Sequence, residues 1–295
     1  MLRRLLGVAL PLIPKPIVRR VANRYVAGET LDAAIAKVEE LNRRGLEVTL
    51  ALLGEEVTER PTAEAAVEEY LQVLERLEPA GLRSGISIKL TLLGLEIEEA
   101  YCRSNLIRVL DAAAAHDTFV RIDMEDHTCT DATLRLYREM RDRYGNVGTV
   151  LQAYLRRTPR DIETLPEGAS IRLCKGIYIE PEEVAYHGYE EVRREFVRDL
   201  GLLFDRGARV AVATHDRYLV DAARKEIRRR GLAGSYEFQT LLGVTEGLRD
   251  ELHSEGHRVR VYVPYGRDWY AYSVRRLREN PQIAVYVLKA MFGRA

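Results

Sequence analysis

Polar residues interrupt several of the most apolar stretches of this 295-residue chain, and their types could do chemistry. Lys89 sits in the run 86–91, Asp123 in 119–124, Gln152 in 149–154, and Arg172 with Lys175 in 170–175. Thr214, His215 and Asp216 close the run that begins at 209, Glu237 and Gln239 lie in 236–240, and Tyr262 lies in 259–263. A charge taken out of water is costly unless it is paired or used, so such a set implies an ion-pair network or a site. Three of them, Lys89, Arg172 and Lys175, are cations, and two arginines near the end of the chain add to them, which suits an anionic ligand. Near the end of the chain Tyr272, Arg275, Arg276 and Glu279 fall at i, i+3, i+4 and i+7, one face of a helix. Paired arginines can grip a carboxylate or phosphate bidentately, although a solvated charged face has the same spacing.

Two other chemistries fit less well. Asp123, Glu125, Asp126 and His127 have the donor types of a divalent-metal site. Their expected neighbours Lys89, Gln152 and Lys175 are poor or repulsive partners for a cation, so no metal is expected. Thr214-His215-Asp216 invites comparison with a hydrolytic triad, but no serine stands in a GxSxG turn. His215 is therefore read as a hydrogen-bonding ligand or a cap. Arg121 is expected to point outward or to be salt-bridged.

The elements that must position these residues are eight short runs rich in β-branched and aromatic residues: 47–53, 86–91, 119–124, 149–154, 170–175, 209–214, 236–240 and 259–263. Apolar residues at helical spacing fill 62–77, 100–115, 131–143, 182–206, 216–230, 245–255 and 268–279, with Thr62 a plausible cap and 159–165 a single turn. Eight strands alternating with helices predict parallel strands, right-handed crossovers and a closed (β/α)8 TIM barrel. An open dinucleotide-binding sheet would carry GxGxxG after its first strand, and the segment after Leu53 lacks it. In such a barrel the site is expected at the C-terminal strand ends, above packed apolar layers.

The chain holds 45 Lys+Arg and 45 Asp+Glu, and this neutrality argues against nucleic acid as a partner. Three cysteines at scattered positions make neither a disulfide framework nor a zinc motif. The charge is uneven, however. Residues 1–28 contain Arg3, Arg4, Lys15, Arg19, Arg20 and Arg24 and no acid. Prolines at 11, 14 and 16 argue against a secretory signal, and two short amphipathic helices packed on the outside are expected. A sharper reading makes this arm a peripheral contact with anionic lipid. The chain accordingly divides into an N-terminal helical arm, 1–45, and a barrel, 46–295.

Taken together, RIDMED (121–126), VLQAY (150–154), IRLCKGIY (171–178), ATHD (213–216), EFQ (237–239) and YVPYGRDWYAYSVRRLREN (262–280) resemble the proline dehydrogenase family. The resemblance implies a distorted barrel holding non-covalent FAD, with L-proline against one flavin face. It implies hydride transfer from proline C5 to flavin N5, electrons passed on to a membrane quinone, and a cytoplasmic or membrane-peripheral location. Asp123 and Arg172 then take catalytic roles. Met124, Gln152, Arg172, Lys175, Gly176, Ile177, Tyr178, Thr214, His215, Gln239 and Glu279 become flavin positions, with Tyr178 close to the entrance. Lys89, Tyr262, Tyr272, Arg275 and Arg276 become substrate positions. Asp216 departs from the family pattern, where several members have Asn. A folate-reducing flavin barrel of the methylenetetrahydrofolate reductase type, and a flavin-binding module without turnover, remain as other classes.

Overall fold

The computed structural model describes residue 19, residues 22–270 and residues 272 and 273. Eight strands form one closed, all-parallel ring in chain order: β1 (Glu47–Leu52), β2 (Ser84–Ile88), β3 (Val120–Ile122), β4 (Val147–Gln152), β5 (Ser170–Cys174), β6 (Arg209–Ala213), β7 (Tyr236–Leu241) and β8 (Val259–Tyr265). The ring closes where β1 pairs with β8, Glu47 opposite Arg260. This is the expected (β/α)8 barrel. Closure leaves no strand edge unpaired.

Helices α1 (Leu31–Arg43), α2 (Arg60–Leu77), α3 (Glu99–Ala115), α4 (Thr130–Arg141), α5 (Thr158–Glu163), α6 (Tyr189–Asp205), α7 (Arg217–Arg230) and α8 (Glu246–Ser254) surround it. Helix α1 precedes the first strand. Thr30 caps it by accepting from the Ala33 amide at 3.3 Å, and its apolar stripe Ala34, Ile35, Val38 and Leu41 is buried. The stripe packs on β1 and β8, so α1 covers the seam where the barrel closes. One hydrophobic cluster unites it with the outer faces of the strands and the inner faces of the other helices.

Two helix starts differ from the sequence reading. Helix α2 begins at Arg60 with Pro61 in its first turn and Glu59 at the N-cap, so Thr62 is inside the helix rather than its cap. Helix α6 begins at Tyr189 instead of 182. The preceding residues turn at 181–185 and pair with the segment just after β4: Leu155 bridges Ala185, the Tyr186 amide donates to the Tyr154 carbonyl at 2.7 Å, and Arg156 N donates to the Val184 carbonyl at 3.0 Å. Backbone bonds to that segment thus outcompete local helix formation. The link between β4 and β5 is short, as expected: α5 has six residues. A final helix starts at Trp269, and most of the expected helix 268–279 lies outside the described residues, as do residues 1–18, 20 and 21.

One buried carboxyl is out of balance. Asp199 on α6 is fully buried, and neither side-chain oxygen has a hydrogen-bond partner among the described residues. Burial, reinforced by Glu195, pushes its carboxyl up to about 7 from an ordinary 3.8. The folded state therefore binds more protons than the unfolded chain between these values, and the contribution of Asp199 to stability falls as pH rises through that window. Asp199→Asn removes the titration. Its stability relative to the parent should grow by on the order of 1–3 kcal/mol between pH 4 and pH 8 in urea unfolding. A difference that stays flat with pH would show that Asp199 does not titrate in this way.

Candidate active site at the barrel mouth

Hydrogen bonds between strands that are not neighbours can only cross the barrel interior, and the polar residues read from the sequence make several. Arg172 on β5 donates from Nη1 to Asp123 Oδ1 at 2.5 Å, just beyond β3, and from Nε to Gln239 Oε1 on β7 at 2.6 Å. Tyr262 on β8 donates its hydroxyl to the other carboxylate oxygen of Asp123 at 3.1 Å, while its ring lies 5.3 Å from the Arg172 guanidinium. Ser87 on β2 donates to Asp123 Oδ1 at 2.5 Å and accepts from Arg172 Nη2 at 3.4 Å. Asp123, Arg172, Ser87 and Gln239 are all buried. Burial, reinforced by the Asp123 carboxylate, holds the Tyr262 hydroxyl well above its ordinary range, so it stays a donor.

The chain of bonds continues downward. Gln239 Nε2 donates to Glu237 Oε1 at 2.5 Å, and Arg260 on β8 donates from Nε to the same oxygen at 2.9 Å. Arg260 also pairs with Glu47 on β1. Burial raises the Glu237 carboxyl, but Arg260 more than offsets this and leaves it below the ordinary glutamate range. Because its donors are fixed by Glu237, the Gln239 amide must present oxygen to Arg172. This corrects two expectations. Glu237 is the second residue of β7 and lies below the mouth, not at the C-terminal strand end. Beneath the mouth lies a polar layer, not an apolar one. Arg121 belongs to it: the residue is buried, donates from Nη1 to the carbonyls of Thr149 (2.9 Å) and Ser170 (2.6 Å), and stacks over Phe119. It therefore points inward and takes backbone oxygens in place of the expected salt bridge.

Around the rim the other expected residues fall into three groups. Lys89 is 8 % exposed and has no hydrogen bond or ion pair to another described side chain; it faces the field of Glu125. Burial pushes the Glu125 carboxyl up to about 7, against the opposing pull of the Thr91 hydroxyl and amide and of Lys89. Met124 is buried beside it, and Gln152 Nε2 donates to the Glu125 carbonyl at 3.0 Å. In the second group Lys175 Nζ binds Asp216 Oδ2 at 2.9 Å, and Arg193 grips the same carboxylate through Nε (2.9 Å) and Nη2 (2.7 Å). Tyr189 adds a hydroxyl at 3.1 Å, and the Tyr218 amide uses Asp216 as its helix cap. Although burial opposes it, these partners hold the Asp216 carboxyl far below its ordinary value. Arg193 also donates from Nη1 to Glu190 Oε1 at 3.0 Å, so two cations and two carboxylates meet at the rim.

The third group is the loop after β5. Gly176 has φ +112°, and a Cβ there would stand 2.1 Å from the Tyr154 ring, so only glycine fits. Ile177 and Tyr178 follow, half-buried. Glu180 ties the loop down through the amide and ring of His127 and the Tyr154 hydroxyl. His127, considered above as a metal ligand, is thus a partner of Glu180. Thr214 Oγ1 accepts from the Asp216 amide at 3.1 Å. His215 Nε2 accepts from the Leu241 amide at 3.0 Å, which places its proton on Nδ1. Tyr272 is buried with Val26, Leu53 and Trp269, and its hydroxyl acts on Tyr262. Arg275, Arg276 and Glu279 lie outside the described residues.

Ser87, Glu125, Glu180 and Arg193 were not singled out from sequence as site residues. Ser87 could have been, since it lies two residues before Lys89 and so shares its face of the strand. The partner of Asp216 could not, because α6 and the loop before α7 meet only in three dimensions.

The mouth offers a polar, hydrogen-bonded floor with one fixed guanidinium, a cation without a described partner at Lys89, and the basic side chains Lys175 and Arg193 at the rim. A planar, anionic, phosphate-bearing cofactor of the flavin type fits this donor set: the Lys175 ammonium and Arg193 guanidinium at the rim suit phosphate, and Arg172 suits charge that develops on a ring. Breaking the buried pair should be costly. Arg172→Met or Asp123→Leu should each lose on the order of 3–5 kcal/mol in urea unfolding, and the double variant less than their sum. Strictly additive losses would mean that the two side chains do not depend on each other.

The proline dehydrogenase family description matches residues 34–287. The chain is 36% identical to proline dehydrogenase 2 of Bacillus subtilis (strain 168), over 92% of this chain and 91% of that protein. It is 37% identical to the proline dehydrogenase of Deinococcus radiodurans, over 92% and 90%. Among solved structures, the proline utilization A of Bdellovibrio bacteriovorus inactivated by N-propargylglycine superposes with a TM-score of 0.83 at 24% identity, over 89% of this chain and 33% of that one. At that identity the superposition speaks for the barrel fold.

Proposed function

Since the chain belongs to the proline dehydrogenase family, we infer that it oxidises L-proline to Δ1-pyrroline-5-carboxylate, the first step of proline degradation, with a non-covalent FAD at the barrel mouth. Within a flavoenzyme family, the observation that carries the cofactor reading is the fixed Arg172 at the floor of a cationic mouth. In this reading Lys175, Thr214, His215, Gln152, Gly176 and Ile177 hold the cofactor, with Met124, Tyr178, Gln239 and Glu279 beside them. A bound flavin supplies the acceptor for the hydride that leaves proline C5.

The protein's own part is positioning and charge. Lys89, with Arg275 and Arg276, grips the proline carboxylate and fixes the ring in one pose; such alignment contributes up to about 7–11 kcal/mol to lowering a barrier. Tyr262 and Tyr272 pack along the apolar ring edge. Arg172 stabilises negative charge that builds as electrons arrive, and Asp123 keeps it in place without leaving a buried cation unpaired. A rigid Gln239 beneath Arg172 prevents the guanidinium from following the charge away from the site.

The electron acceptor in this reading is a membrane quinone. Residues 1–28, with six basic residues and no acid, supply a peripheral contact with the inner face of the cytoplasmic membrane. No helix among the described residues is long and apolar enough to cross a membrane. We keep 1–45 as the arm and 46–295 as the catalytic barrel. A folate-reducing barrel is not favoured, since the family match is to proline dehydrogenases; neither is a module without turnover.

Two measurements test this. Purified protein should show a flavin spectrum that bleaches on anaerobic addition of L-proline and should drive dye-coupled proline oxidation without acting on methylene-folate. Colourless protein from flavin-replete cells would overturn the proposal. Arg275→Ala and Arg276→Ala should each raise the proline KM by about tenfold or more with FAD retained, corresponding to loss of a charge-assisted contact. Asp123→Ala should nearly abolish turnover. Equal loss of FAD and activity in the arginine variants would assign that face to the cofactor instead.

A further inference from the structure

The end of the barrel opposite the mouth carries a second cationic site. There the N-terminal strand ends surround a cavity of about 210 Å³, lined by Arg121, Arg209, Arg258, Arg260, Glu237 and Ser235 among others. Glu47 and Glu237 are the carboxylates paired with these arginines: Arg258 and Arg260 both reach Glu47 and Glu237. Four guanidinium groups therefore face two carboxylates, and two positive charges are left over. Arg121 is buried, and among the described residues its hydrogen-bond acceptors are the oxygens of Thr149 and Ser170. Arg209, the first residue of β6, has no ion pair to a described residue.

We propose that this cavity binds a compact oxyanion of two negative charges, a phosphate or a short dicarboxylate, between Arg209 at the rim and Arg121 and Arg260 inside. The charge balance asks for two negative charges, and the volume admits a small ion together with water. Guanidinium groups are the natural receptors for carboxylate and phosphate oxygens. The electrostatics of Arg121 point the same way. Burial first, and then Arg172, depress its affinity for a proton; Glu237 and Tyr137 offset this only in part, and a further anion would act in the same direction as they do. The site is separate from the chemistry at the mouth, yet Gln239 touches both: it lines the cavity and accepts from Arg172.

The test uses the full flavin-loaded protein and inorganic phosphate or malonate as probes, with sodium chloride at equal ionic strength as reference. Either or both probes should raise the thermal midpoint saturably, by about 2–4 °C above chloride. Which of them does so identifies the anion as tetrahedral or dicarboxylate. Arg209→Ala should lose the rise while proline turnover stays near that of the parent. Ser235→Glu, which adds a carboxylate to the rim, should lose it as well, so the result does not hang on one variant. No rise above chloride would mean that the cavity holds water and the arginines only staple the strands. A rise that persists in both variants would place the anion at the mouth, and either result overturns the proposal. Neither depends on whether proline is the substrate.

Discussion

The Arg172–Asp123 pair is the contact on which the rest of the interior depends. A buried guanidinium or carboxylate alone would be unfavourable by several kcal/mol, and together they are tolerable because every remaining polar atom nearby also finds a partner. Ser87 and Tyr262 complete the carboxylate, and Gln239 takes the third direction of the guanidinium. Gln239 can do so only because Glu237 and Arg260 fix its amide. The network touches β1, β2, β5, β7 and β8 and the end of β3, so strand registry and side-chain orientation are one problem.

The two cationic features of the mouth are built differently. Arg172 is locked by neutral and anionic partners in a water-poor place, where charges act strongly and do not reorient. Lys175 and Arg193 share Asp216 at a partly exposed rim, where the geometry is adjustable and water screens the field. In the proposed reading, the fixed charge would serve the reacting ring and the softer one a phosphate-bearing end.

The barrel was legible because its strands are short β-branched runs separated by helical spacing, and their count alone selects closure. The candidate site residues were legible as charges where charges do not belong: Lys89, Asp123, Arg172. What could not be read is which charge meets which. Arg172 and Gln239 are 67 residues apart and sit on strands two places apart in the ring. Arg121 alternates with Asp123, so the strand period puts both inward, but the expectation of an apolar interior below the mouth favours an outward or salt-bridged Arg121, and the structure overturns it. The start of α6 differs from the helical spacing for a related reason, since backbone bonds between residues 154–156, just after β4, and residues 184–186 are invisible to helical periodicity. For Arg275, Arg276 and Glu279 the sequence remains the whole of the argument.

The seam covered by α1 has a consequence for how the molecule is made. Glu47 and Arg260, which pair across it, are 213 residues apart. During synthesis the apolar stripe of α1 and the flank of β1 emerge early and have no β8 to cover until nearly the whole barrel has left the ribosome. The nascent chain thus carries an open sheet edge and a sticky helix for most of its translation, the condition in which binding by chaperones matters most. The last strand made is the one that seals the first helix in place.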